Sequence, residues 1–275
     1  MAIQDGKTPR GIHFQHWVKG EPGRETLALV MGYSGSIASW SQDFLDELHQ
    51  SYDLLLLDNR GTGYSFHPAQ IEDITVPTMA DDLFDLVSHL QLEPFHLLGY
   101  SLGGCIAQQF AASHPERIQS LLLLATTGGG SLYVAPGRDF LAQLESPKGE
   151  TPWEMALSMW GLCTSQDVIQ NKEAGLRDIH DRQMQKPTPR RTFAGQMRAF
   201  KAFATEKLFP NRKVPVPLTI ISGKQDRLMP HGNSLKLQEY FQQSLLIEID
   251  NCEHLPYLEQ KQELLSAIRV GIQRK

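Results

Sequence analysis

Residues 95–104 read Phe95-His96-Leu97-Leu98-Gly99-Tyr100-Ser101-Leu102-Gly103-Gly104. An apolar run of buried-strand length stops at a Gly-x-Ser-x-Gly cluster, and residues 102–113 then continue as a helix of small and apolar side chains ending at His114-Pro115. This strand–turn–helix context gives the Gly-x-Ser-x-Gly pattern its meaning. A serine on so tight a turn is forced into an unfavourable backbone conformation, and neighbours without side chains let the flanking segments approach. Its hydroxyl is then presented above a sheet edge, at a helix N-terminus that supplies free N–H groups and partial positive charge.

Working outward, further continuous apolar runs occupy residues 26–31, 52–58, 118–125, 216–222 and 245–250. Unbroken runs, unlike alternating ones, belong to strands covered on both faces. Between them lie helical patterns at residues 78–90, 231–241 and 260–272. The expected fold class is therefore α/β, with a mostly parallel central sheet flanked by helices. The alternation breaks once, across residues 128–213. Aromatic and Met residues recur there at helical spacing (Trp153, Met155, Met159, Trp160, then Phe193, Met197, Phe200 and Phe203). A helical cap insertion over 128–213 is expected, with residues 1–127 and 214–275 forming the core. Its aromatic and Met residues are read first as cap interior, and Trp153, Met159, Trp160 and Phe200 as candidate substrate contacts.

A serine hydroxyl needs a base and an orienting acid before it can act as a nucleophile. Of ten His, His254 follows the last strand and precedes the last helix, which places it at the same sheet edge as Ser101. His49, His89 and His114 fall at helix ends and are expected in solvent. Asp226 follows the strand at 216–222 and is preferred as the acid to Asp250, which lies four residues before His254. Ser101, Asp226 and His254 are thus the candidate catalytic residues. The position that could hold an acid after the strand before the insertion reads Thr126-Thr127. Leu102 and Tyr33 are the candidate backbone donors for an oxyanion, with the Ser34 backbone or hydroxyl as the alternative to Tyr33.

With these pieces in place the chain resembles the α/β-hydrolase superfamily, of the capped, esterase-like kind, from about residue 11 to the end. Asp58-Asn59-Arg60-Gly61-Thr62-Gly63-Tyr64-Ser65 is similar to its D-x-R-G-x-G-x-S loop, Gly99–Gly104 to its nucleophile elbow, and His114-Pro115-Glu116-Arg117 to the segment after the nucleophile helix. Gly223 with Asp226, and His254 with Glu259, also fit. One departure is the family's usual His-Gly before the oxyanion residue, which reads Met31-Gly32 here. The resemblance implies a carboxylic ester hydrolase working through an acyl-enzyme. Similar chains also include pimeloyl-carrier-protein methyl esterases of biotin synthesis, lactonases, C–C hydrolases, cofactor-free perhydrolases and non-catalytic small-ligand receptors.

Bulk properties set the partners. The net charge is −5, which disfavours nucleic acid. Residues 128–213 carry 13 Lys+Arg against 9 Asp+Glu, a balance that makes an acidic acyl carrier protein a candidate partner beside a small-molecule ester. No apolar run approaches the length of a membrane span. Three cysteines and no secretory h-region point to the cytoplasm. No cofactor is expected and no metal: His13 and His16 lie three apart in a strand-like stretch and face opposite sides.

Overall fold

The computed structural model describes residues 2–65, 73–144, 148–205 and 214–274. Among these residues eight strands form one sheet: β1 (Ala2–Lys7), β2 (His13–Val18), β3 (Thr26–Val30), β4 (Asp53–Leu57), β5 (Phe95–Tyr100), β6 (Ile118–Leu124), β7 (Leu218–Gly223) and β8 (Leu245–Ile249). Their spatial order is β1-β2-β4-β3-β5-β6-β7-β8. The six strands from β4 to β8 are parallel, and β1 and β2 add an antiparallel edge.

The strands from β3 to β7 are buried almost throughout, as unbroken apolar runs require. Alternate side chains feed two cores. On one face Leu27, Leu29, Leu54, Leu56, Leu98 and Leu122 pack with α1 (Gln42–Ser51) and α11 (Lys261–Gln273). On the other, Ala28, Val30, Leu55, Leu97, Leu121 and Leu123 pack with α2 (Val76–His89) and α3 (Leu102–Ser113). Thr75 caps α2 by accepting the Thr78 N–H at 3.1 Å, and Pro77 sits in its first turn, where a missing N–H costs nothing.

Among the described residues, five α-helices run between β6 and β7: α4 (Arg138–Leu144), α5 (Pro152–Cys163), α6 (Gln166–Asn171), α7 (Glu173–Gln185) and α8 (Arg190–Thr205). The expected limit at residue 213 lies outside the described residues. The remaining helices are α9 (Gly232–Tyr240) and α10 (Pro256–Glu259). Among the described residues, no helix is long and apolar enough to cross a membrane.

Two expectations are corrected. Met155, Phe193 and Met197 are not helix interior: Met155 on α5 is 42% exposed and the other two 37% each, while Thr192, Gln196, Ala199 and Phe203 form the buried face of α8. Two faces of this helix carry apolar side chains, so spacing alone cannot choose between them. His49 is buried rather than solvated. Its Nδ1 lies 3.1 Å from the Tyr52 carbonyl oxygen, and its ring meets Trp17 edge-on.

β3 and β5 are neighbours, and the strand order runs outward from them in both directions. Their carboxyl ends therefore form the crevice where open α/β sheets bind ligands. The loop after β3 and the turn after β5 both end there.

Candidate active site

Ser101 caps α3 with φ +55° and ψ −120°, a left-handed conformation that costs a non-glycine residue about 1–3 kcal/mol. The surrounding packing holds it there. The Ser101 amide donates to the Leu124 carbonyl at 2.9 Å, and Thr126 Oγ1 donates to the Ser101 carbonyl at 2.7 Å. A Cβ at Gly99 would overlap the Gly103 carbonyl, and one at Gly103 would overlap the Val30 carbonyl. Glycine is needed at both places for strand and helix to approach so closely.

Three side chains distant in the chain meet at this edge. His254 Nε2 lies 3.2 Å from Ser101 Oγ, and His254 Nδ1 lies 2.7 Å from Asp226 Oδ2. With the Nδ1 proton on the Asp226 side, Nε2 is free to accept the serine proton. The other carboxylate oxygen, Oδ1, accepts the Leu228 and Met229 amides at 2.9 and 2.7 Å, so the acid is locked in orientation. All three residues are buried. Asp250 instead pairs with Lys224 at 2.8 Å and is largely exposed.

The loop carrying His254 is held from three directions. Glu259 accepts the Glu253 and Leu255 amides at 2.8 and 2.9 Å, and burial raises its pKa. The Tyr100 hydroxyl donates to the His254 carbonyl at 3.0 Å; burial pushes that phenol well up, so it stays a donor. The His254 amide donates to the Cys163 carbonyl at 3.0 Å.

Leu102 opens α3, so its N–H has no carbonyl of its own helix to bond. Gly32 lies against the elbow: a Cβ there would stand 2.9 Å from Ser101 Cβ. Tyr33, the sequence's candidate second donor, is the residue that follows this close contact. Among the described residues, neither the Tyr33 nor the Leu102 amide has an acceptor. The 58–65 loop braces this region from behind. Asp58 accepts the Ile37 and Tyr64 amides at 2.7 and 2.8 Å, and Asn59 Nδ2 donates to the Met31 carbonyl at 2.8 Å. Arg60 makes a buried two-pronged pair with Asp82 at 2.8 and 2.7 Å, which raises the Arg60 pKa further.

Four residues of the helical stretch were candidate substrate contacts. Trp153 and Trp160 meet edge-on at 6.0 Å, and Trp153 also packs against His180 and under the Arg177 guanidinium. Both indoles abut the sheet core. Phe200 packs edge-on with Tyr133, and Met159 is half-buried on α5. Gln196 went unrecognised in the sequence. Its Oε1 accepts the Ser34 amide at 2.7 Å, and the readable signal was a polar residue on the otherwise buried face of α8. A cleft of about 600 Å³ lies elsewhere, between β2, α1 and α7. Its polar lining includes His13, already engaged by Asp58 and Asp5, and neither Ser101 nor His254 borders it.

Residues 25–261 match the family model described as the alpha/beta hydrolase fold. The chain is 28% identical to a protein of Agrobacterium fabrum assigned as the carbamate hydrolase RutD, across 88% of this chain and 91% of that one. The fold is similar to that of an enol-lactonase from Burkholderia xenovorans (TM-score 0.81, 18% identity, 98% of this chain and 100% of that one). It is also similar to the esterase RhEst1 from a Rhodococcus species (TM-score 0.77, 20% identity, 99% and 98%).

Proposed function

Because this chain belongs to the α/β hydrolase fold family, we propose that it is a serine hydrolase cleaving a carboxylic ester through an acyl-enzyme intermediate. One observation carries the reading: the unbroken line from Ser101 Oγ through the His254 imidazole to the Asp226 carboxylate, at 3.2 and 2.7 Å. On a strained turn beside unpaired amides, that line is built to make and break an acyl bond.

In the first step Ser101 Oγ attacks the substrate carbonyl while His254 Nε2 takes the hydroxyl proton. The carbonyl oxygen, now an anion, is received by the Tyr33 and Leu102 N–H groups. Asp226 stabilises the imidazolium and does not itself take the proton. Collapse of the tetrahedral intermediate breaks the bond to the leaving oxygen, which His254 Nε2–H protonates. Water enters, gives a proton to His254 Nε2 and attacks the acyl carbon. A second collapse returns the proton to Ser101 Oγ and releases the acid.

The helices between β6 and β7 act as a cap in this reading, and their apolar residues favour a hydrophobic acyl group. A second reading is cleavage of a carbamate, favoured by the relative assigned that activity across most of the chain. Both substrates present a carbonyl to the same nucleophile.

Steady-state rates on p-nitrophenyl esters of increasing chain length, on lactones and on carbamates test the proposal, with Ser101→Ala as the blank. Ester turnover that falls about 10⁴-fold or more in the variant is expected. Absence of turnover across the panel, together with no labelling of Ser101 by a fluorophosphonate, would sink it.

A further inference from the structure

The loop that presents the second oxyanion donor is closed by one long local bond, from the Gly35 amide to the Gly32 carbonyl at 3.3 Å, and draws further support from a distant helix. Ser34 has φ +59°, a left-handed conformation that a serine leaves readily unless held. Its holders come from more than 150 residues downstream. Gln196 Oε1 accepts the Ser34 N–H at 2.7 Å, and Thr188 Oγ1 donates to the Ser34 carbonyl at 2.8 Å. One residue earlier, the Tyr33 hydroxyl donates to the Phe193 carbonyl at 3.1 Å, and the two rings meet edge-on at 5.8 Å. Gly32 on the other side is pressed against Ser101. The direction of the Tyr33 N–H is therefore set between an elbow that is rigid and a serine that α8 and its lead-in must hold.

Gln196 is the informative member of this clamp. It is fully buried, and its Nε2 has no hydrogen-bond partner among the described residues. A buried donor left unpaired is costly, and a methionine would fill the same volume without that cost. The side chain is explained by its oxygen, which fixes one amide of the oxyanion loop. Thr192, one turn earlier, makes the parallel contact to the loop after β4, donating to the Gly61 carbonyl at 2.9 Å. The buried face of α8 is thus registered against both the loop after β3 and the loop after β4.

We propose that Gln196 is a positioning residue of the reaction: acting through Ser34, it aims the Tyr33 N–H at the developing oxyanion and makes oxyanion stabilisation depend on where α8 sits. This rests on the serine-hydrolase reading. A misaimed donor weakens an interaction made only in the transition state, so the loss falls on kcat and spares substrate binding.

The test compares Gln196→Met and Thr188→Val with wild type on p-nitrophenyl butyrate, beside Ser101→Ala. A second readout is the rate at which a fluorophosphonate inactivates each protein, since that attack also builds negative charge on an oxygen. Thermal midpoints are measured alongside. Gln196→Met is expected to lose about 10–100-fold in kcat and in inactivation rate, with KM within about threefold, and Thr188→Val about 3–10-fold with the same signature. Rates within twofold of wild type in both variants, or a raised KM with kcat kept, would overturn the proposal. If Gln196→Met fails to fold, Thr188→Val decides by the same criteria. An inert Ser101→Ala with undisturbed clamp variants removes this inference alone. An active Ser101→Ala removes the reading beneath it as well.

Discussion

The backbone carbonyl of Cys163 accepts the amide N–H of His254 at 3.0 Å, which ties the last turn of α5 to the loop that carries the imidazole. Arg227 reinforces the tie by donating to the Leu162 carbonyl at 3.3 Å and pairing with Glu253 at 3.1 Å. The loops after β7 and β8, which supply Asp226 and His254, are thereby both joined to one helix end.

The same junction disfavours the thiolate of Cys163. Burial, with the Asp226 and Glu253 carboxylates adding to it, pushes its thiol up to about 12. At pH 8 only about one molecule in 10⁴ would carry the thiolate, the form that reacts. Cys252 is pushed up as well, by burial first, and Cys105 is buried beneath the elbow. Native protein treated with a thiol-reactive disulfide at pH 8 is expected to release less than one equivalent over minutes, and three after denaturation. Fast stoichiometric labelling of Cys163 would show that the end of α5 opens readily.

The two acids near His254 make a direct comparison. Asp226 holds Nδ1 at 2.7 Å and is itself fixed by two amides, whereas Asp250 pairs with Lys224 in solvent. Asp226→Asn keeps the shape but favours the wrong imidazole tautomer, and a loss of about 10³–10⁴-fold in kcat is expected. Asp250→Asn is expected to stay within about twofold. Equal effects of the two on ester turnover would contradict the assignment of the acid.

Gly103 tests the elbow's packing apart from its chemistry. It lies in the first turn of α3, where a Cβ would overlap the Val30 carbonyl, a backbone group of the neighbouring strand that cannot swing aside. Gly103→Ala is expected to cost about 2–3 kcal/mol of stability, read from the denaturant midpoint. The ordinary effect of Gly→Ala inside a helix has the opposite sign, so a stabilised variant would show that the strand and helix can separate at no cost.

What could be read from the chain follows from how local each signal is. β5 and α3 begin and end where the apolar run, the Gly-x-Ser-x-Gly turn and His114-Pro115 place them, because strand burial and turn sterics are written in adjacent residues. That Ser101, Asp226 and His254 meet at one edge was legible from topology, because parallel strands put all their following loops there. The antiparallel β1 was not read, since Ala2–Lys7 is mostly exposed and carries no apolar pattern. The buried face of α8 was misread because Phe193 and Met197 repeat at helical spacing as well as Ala199 and Phe203 do. Gln196 stayed hidden for a related reason: its partner Ser34 is 162 residues away, and no local pattern encodes such a pair. The acyl group was unreadable because esters, lactones and carbamates ask the same of a nucleophile, a base and two amides.

A last expectation concerns pH and the loop behind the site. His13 is buried with Nδ1 2.7 Å from Asp58 and Nε2 3.0 Å from Asp5. Burial alone would lower its pKa; hydrogen bonds and charge from Asp58 and Asp5 outweigh that, and the net shift is upward from 6.5. The folded state therefore holds this proton more tightly than the unfolded chain does. The resulting stability is present in full below about pH 6.5 and is lost as pH rises through the raised value. His16, His49 and His96 are shifted downward by burial, so their contributions change on the acid side of 6.5 and leave this window clear. Urea midpoints of wild type should fall as pH climbs from about 6.5 to 8.5, and the part of that fall due to His13 should vanish in His13→Gln. Because Asp58 also fixes the Ile37 and Tyr64 amides, His13→Gln leaves that carboxylate without its cationic partner and should lower stability at pH 6 more than at pH 8.5. Midpoint losses that are equal at the two pH values would mean that the imidazole carries no extra proton in the folded chain.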